Sequence, residues 1–121
     1  MDHSLISQFL NSKPSIIKDD EIGPIIIYDY KGRLLNYQIW VTPDENQISI
    51  SASPGMPFGG DSFYEFYVRC DSIRVFQNPY GIKNQISLAF GEGDVKEPKD
   101  IRMTVHMRED GDLVVWPRSF H

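Results

Sequence analysis

From residue 24 onward the chain alternates apolar and polar residues with a period of two, and each alternating run ends in Gly, Pro, Asn or Asp. Only a pleated strand uses that period, because successive side chains point to opposite faces and a half-buried strand must sort them. Leu35, Tyr37, Ile39 and Val41 share one face, against Asn36, Gln38, Trp40 and Thr42 on the other. Ile48, Ile50 and Ala52 alternate with Ser49, Ser51 and Ser53, and Tyr64, Phe66, Val68 and Cys70 alternate around Glu65 and Arg69. Ile86, Leu88 and Phe90 repeat the pattern, as do Ile101, Met103, Val105 and Met107 against Arg102, Thr104, His106 and Arg108.

The breaks between runs carry turn chemistry. Lys31-Gly32 predicts a tight hairpin after a strand over 25–30, with glycine supplying a positive φ. Pro43-Asp44-Glu45-Asn46 and Asn78-Pro79-Tyr80-Gly81 predict turns, and Asp110-Gly111 predicts a hairpin returning through Leu113 to Trp116. Asp71-Ser72 predicts a bend, after which 73–76 extends or follows the preceding strand. Gly55 to Asp61 holds too much Gly and Pro for a regular element.

Before residue 24 the pattern differs. Leu5, Ile6, Phe9 and Leu10 gather on one side of a helix, with Asp2 or Ser4 as N-cap and Pro14 ending it by residue 13. A helix so short needs a sheet to pack on. Ser15 to Gly23, with Asp19-Asp20-Glu21 inside it, reads as a loop. The expected fold is α+β: a mainly antiparallel, curled sheet of about seven strands in meanders and hairpins, with one short N-terminal helix. No repeat or linker divides residues 1–121, so one domain is expected.

Composition narrows function by exclusion. A formal net charge of -5 has the wrong sign for wrapping a phosphate backbone, so nucleic acid is not the expected partner. Ile25-Ile26-Ile27-Tyr28 is too short an apolar run to cross a bilayer, and Met1-Asp2-His3-Ser4 lacks the basic start of an export signal. With one cysteine, Cys70, no internal disulfide forms, and a cytoplasmic location is expected.

No motif assigns a reaction. Cys70 with His106 could in principle make a nucleophile–base pair, yet Cys70 continues an apolar face where an inert thiol is expected. His3, His106 and His121 have no metal-site spacing, and Asp110-Gly111-Asp112 is too short for a calcium loop. The Gly55–Asp61 loop lacks a P-loop ending. Catalytic, metal and cofactor residues are therefore not expected.

The aromatic residues are the feature to explain. Trp40, Phe63 and Tyr67 fall on faces that the alternation assigns to solvent and Trp116 lies near the chain end, so that a second layer or a partner must cover them. Acidic clusters at 19–21, 44–45, 92–94 and 109–112 would steer a basic protein toward the chain. The expected function is that of a small acidic bacterial inhibitor or immunity-type protein that neutralises a toxin or enzyme. Trp40, Asp44, Glu45, Tyr67, Glu109, Asp110, Asp112 and Trp116 are its expected contact residues. An exposed strand edge would also offer a route to a homodimer. The alternatives are a barrel-like small-molecule binder whose Gly55–Asp61 loop gates the mouth, and an enzyme with scattered catalytic residues.

Overall fold

A computed structural model describes residues 2–54, 64–77, 86–93 and 98–117. The Gly55–Asp61 loop, Phe63, the Asn78–Gly81 turn, Asp94, His121 and the side chain of Ile86 lie outside the described residues. The helix α1 spans Ser4–Leu10. Among the described residues nine strands follow: β1 Ser15–Asp19, β2 Gly23–Lys31, β3 Leu35–Thr42, β4 Gln47–Pro54, β5 Tyr64–Arg69, β6 Ser72–Gln77, β7 Ile86–Gly91, β8 Ile101–Met107 and β9 Leu113–Pro117.

The strands do not form one curled sheet. They form two open antiparallel meanders, β1-β2-β3-β4-β5 and β6-β7-β8-β9, neither curled nor closed. The division falls on a single peptide: Cys70 donates its N–H to Asn46 O at 2.7 Å in the first sheet, and Asp71 donates to Gly91 O at 3.1 Å in the second. The bend expected at Asp71-Ser72 is thus where the chain changes sheets. Alternation sets faces and not neighbours, so a corner and a continuing strand look alike in sequence.

Both sheets contribute to one core. Ile39, Val41, Ile48 and Ile50 from the first sheet, and Leu88, Phe90, Met103 and Val105 from the second, are all at most 1% exposed. Each such side chain contributes about 1.5–3 kcal/mol by leaving water. These side chains occupy the space that a barrel-like binder would need for an enclosed pocket. Helix α1 packs on β2 of one sheet and on β6 and β7 of the other, burying Ile6 and Leu10. It is fixed at its start by Tyr28 Oη, which donates to His3 O at 2.9 Å. Asn11, in the left-handed region at φ 51°, ends the helix three residues before Pro14.

Two local expectations are corrected. Residues 15–19 are a strand rather than a loop, paired with β2 and exposed along its whole length. Exposure on both faces leaves no alternation to read. The β1–β2 turn is closed by Asp19 Oδ1, which accepts from Glu21 N at 2.8 Å and Ile22 N at 3.0 Å, and by Gly23 at φ 84°. The turn after β2 spans Gly32 to Leu34, and Gly32 does not take a positive φ. Glycine is required there because a Cβ would overlap the Asp112 carboxylate.

Candidate protein-binding surface

The outward face of the five-stranded sheet is built from the residues alternating with the core. Strand register sets them in rows: Ile27, Trp40, Ser49 and Tyr67 in one, and Asp29, Gln38, Ser51 and Glu65 in the next. Trp40 and Tyr67 stand two strands apart, roughly 9.5 Å between backbones, with the small Ser49 between them. That spacing leaves room for one planar group between two aromatic side chains, given ring contacts of about 3.5–4 Å. Trp40 is 38% and Tyr67 62% exposed.

Both aromatics are tethered. Trp40 Nε1 donates to Gln38 Oε1 at 2.6 Å, and Gln38 Nε2 donates to Asp29 Oδ1 at 2.8 Å. Tyr67 Oη donates to Glu65, and this bond, with some burial, raises the Tyr67 hydroxyl pKa above the ordinary phenol value. The surface between them is an open concavity of about 460 Å³, to which Ile22, Ile25, Glu45 and Gln47 also contribute. Its two central rows carry Asp29 and Glu65 and no basic side chain. Lys31 and Arg69 lie one row beyond on either side. An aromatic slot with carboxylates at its rim suits a flat cation, which gains ring contact and an ion pair together.

The eight expected contact residues separate into three places. Trp40, Tyr67 and Glu45 share this concavity, with Asp44 beside Glu45 in the 3-10 turn Pro43–Glu45. The Asp44 carboxylate fills the space over Gly23. Glu109 and Asp110 lie on the β8–β9 hairpin, where Asp110 accepts from Asp112 N at 2.9 Å and pairs with Arg108 at 3.4 Å. Trp116 is 60% exposed and stands opposite Thr104 on the outward face of the other sheet, away from Trp40 and Tyr67.

Asp112 is not an exposed steering charge. It is only 7% exposed and reaches across to the β2–β3 turn. There it accepts from Leu34 N at 3.2 Å, Leu35 N at 3.4 Å and Tyr37 Oη at 3.3 Å. Tyr37 Oη also accepts from Leu113 N at 3.1 Å. Burial, with the Asp112 charge beside it, pushes the Tyr37 hydroxyl up to about 12. Together Asp112, Tyr37 and Gly32 latch one sheet to the other.

The Cys70–His106 pair does not assemble. Cys70 is fully buried, its Sγ donates to Ser72 O at 3.0 Å, and burial pushes its thiol up to about 11. His106 Nδ1 instead meets Ser87 Oγ, a cross-strand neighbour with no exposed surface, and burial lowers the histidine. Ser49, between Trp40 and Tyr67, and Ser51, between Gln38 and Glu65 in the next row, went unread as site residues because serine on an outward face is ordinary. The signal at Ser49 is small size between aromatic flanks in register, which requires knowing that β5 pairs with β4.

Among the described residues, no group of three or more His, Cys, Asp or Glu is placed to hold a metal ion, and no helix is long and apolar enough to cross a membrane. Comparison with known protein families, curated proteins and solved structures finds no match to this chain.

Proposed function

We propose that this chain is a protein-binding module of the inhibitor or immunity type, acting in the cytoplasm, that seats a basic partner on the outward face of its five-stranded sheet. The Trp40–Ser49–Tyr67 slot, rimmed by Glu65 and Glu45, is the observation that carries the reading. An arginine side chain of the partner fills it, its guanidinium stacked on the rings and paired with Glu65. Exposed Trp and Tyr supply large contact area at low entropy cost, and Arg is enriched in the same interface centres. The remaining carboxylates act over distance, raising the rate of encounter with a positively charged surface.

The test is capture of a partner from lysate of the native source on immobilised wild-type chain and on the Trp40→Ala/Tyr67→Ala variant. A basic protein retained by wild type, lost by the variant and bound more slowly as salt rises supports the proposal. A partner held equally by both, or one whose association ignores salt, refutes this surface.

A further inference from the structure

We infer that two copies of this chain pair antiparallel through the outer edge of β1, with the twofold axis at Ile17. The inference does not rest on the slot, whose aromatic residues Trp40 and Tyr67 lie on β3 and β5. It begins from the direction of the backbone groups. In an antiparallel ladder the residues of a strand alternate between those bonded to one neighbour and those bonded to the other. Gly32 N donates to Leu35 O at 2.8 Å, which sets the even-numbered residues of β2 toward β3. The odd ones, Ile25 and Ile27, therefore face β1. Two further observations give the same phase. Pro24, which has no N–H, is the residue opposite Lys18, and Asp29 O turns toward the β1 side to accept from Ser12 Oγ at 3.2 Å. On β1, Ser15, Ile17 and Asp19 thus bond inward, and Ile16 and Lys18 present N–H and C=O outward.

Those outward groups restrict what can add to the edge. Among self-pairings, one centred on Ile16 sets Lys18 opposite Pro14, which has no N–H to return. One centred on Lys18 opposes two like charges. Centring on Ile17 sets Ile16 opposite Lys18 of the second copy, and each of these pairs exchanges both hydrogen bonds. It also brings together the Ile17 side chains, each 50% exposed in the single chain, while Ile16 is 61% exposed. Edge Lys and Pro ordinarily discourage pairing; here they remove the competing registers.

Charge selects the antiparallel sense. Lys13 precedes β1 and Asp19-Asp20-Glu21 ends it, all exposed. Antiparallel apposition brings each Lys13 to the acidic end of the second copy, whereas parallel apposition stacks acid on acid. The result is a continuous sheet across both copies with both aromatic slots left open.

The test uses the whole chain and engineered cysteines, since native Cys70 is fully buried. Residues opposite each other in a non-hydrogen-bonded pair lie about 4.5 Å apart at Cα, within disulfide reach. Ile17→Cys is expected to form a covalent dimer on mild oxidation, and Ile16→Cys at least about tenfold more slowly, because Ile16 faces Lys18. Sedimentation equilibrium up to about 1 mM is expected to show a wild-type dimer whose Kd rises about tenfold or more in Ile16→Pro, which removes an outward N–H. Ile17→Lys, opposing like charges at the axis, is expected to weaken it similarly. A wild-type chain that stays monomeric across that range, equal crosslinking of the two cysteine variants, or a dimer indifferent to both Ile17→Lys and a folded Ile16→Pro overturns the inference.

Discussion

Asp112→Ala isolates the contact that holds the two sheets in register with each other. The substitution leaves Leu34 N–H and Leu35 N–H without this acceptor and leaves Tyr37 O–H with Leu113 O alone, at 3.3 Å. Hydrogen bonds to a charged group are worth about 1.5–3 kcal/mol each. These, however, are long, at 3.2 to 3.4 Å, and the Leu34 side chain is 71% exposed, so water reaches the turn. Contributions within one network also do not add. The expected loss is therefore about 2–4 kcal/mol, a fall of about 8–15 °C in Tm for a chain of this size. Asp112→Asn keeps one acceptor oxygen and is expected to lose roughly half as much. Urea denaturation and thermal melting measure both. Because a Cβ on Gly32 would overlap this carboxylate, Gly32→Ala should cost less in the Asp112→Ala background than in wild type, a coupling readable in a double-mutant cycle. An Asp112→Ala chain that melts within about 2 °C of wild type would refute the latch and return Asp112 to the exposed charges.

Two other predictions follow from the same structure. Tyr37 has a folded pKa near 12 against an ordinary 10, so folding favours its neutral form; that stability is complete below pH 10 and is lost as pH rises toward 12, so alkaline melts should steepen in that window and do so less in Tyr37→Phe. Asn46 holds φ 51° while its carbonyl accepts from Cys70 N at the sheet corner; Asn46→Gly should melt near wild type and Asn46→Ala about 1 kcal/mol lower, checked by urea denaturation.

How much of this was legible in the sequence follows from what alternation encodes. Residues 35–42 and 47–54 read plainly because one face is buried and the other is wet, so Ile39 and Trp40 announce opposite sides of the same strand. Residues 15–19 gave nothing, since a strand exposed on both faces has no contrast to read. The division into two sheets was hidden because Cys70 continues the apolar face of Val68, while the next residue bonds to a different sheet. Asp112 was misread for a related reason: an acidic residue after Asp-Gly looks like an exposed hairpin tip. Its burial depends on a glycine some eighty positions earlier in the chain making room for it. Trp40 and Tyr67 were legible as outward aromatics, and the slot between them was not, because it depends on which strands are neighbours.

The slot is most directly tested by titrating the isotope-labelled chain with a tri-arginine peptide and following its indole N–H resonances by NMR. Only Trp40 and Trp116 contribute such signals, and they stand on the outward faces of different sheets, so each controls for the other. Saturable movement of the Trp40 signal, lost in Glu65→Gln/Tyr67→Ala, with Trp116 unmoved, is the predicted result. No movement of Trp40, or equal movement of both indoles, would contradict a cation-binding slot on the five-stranded sheet.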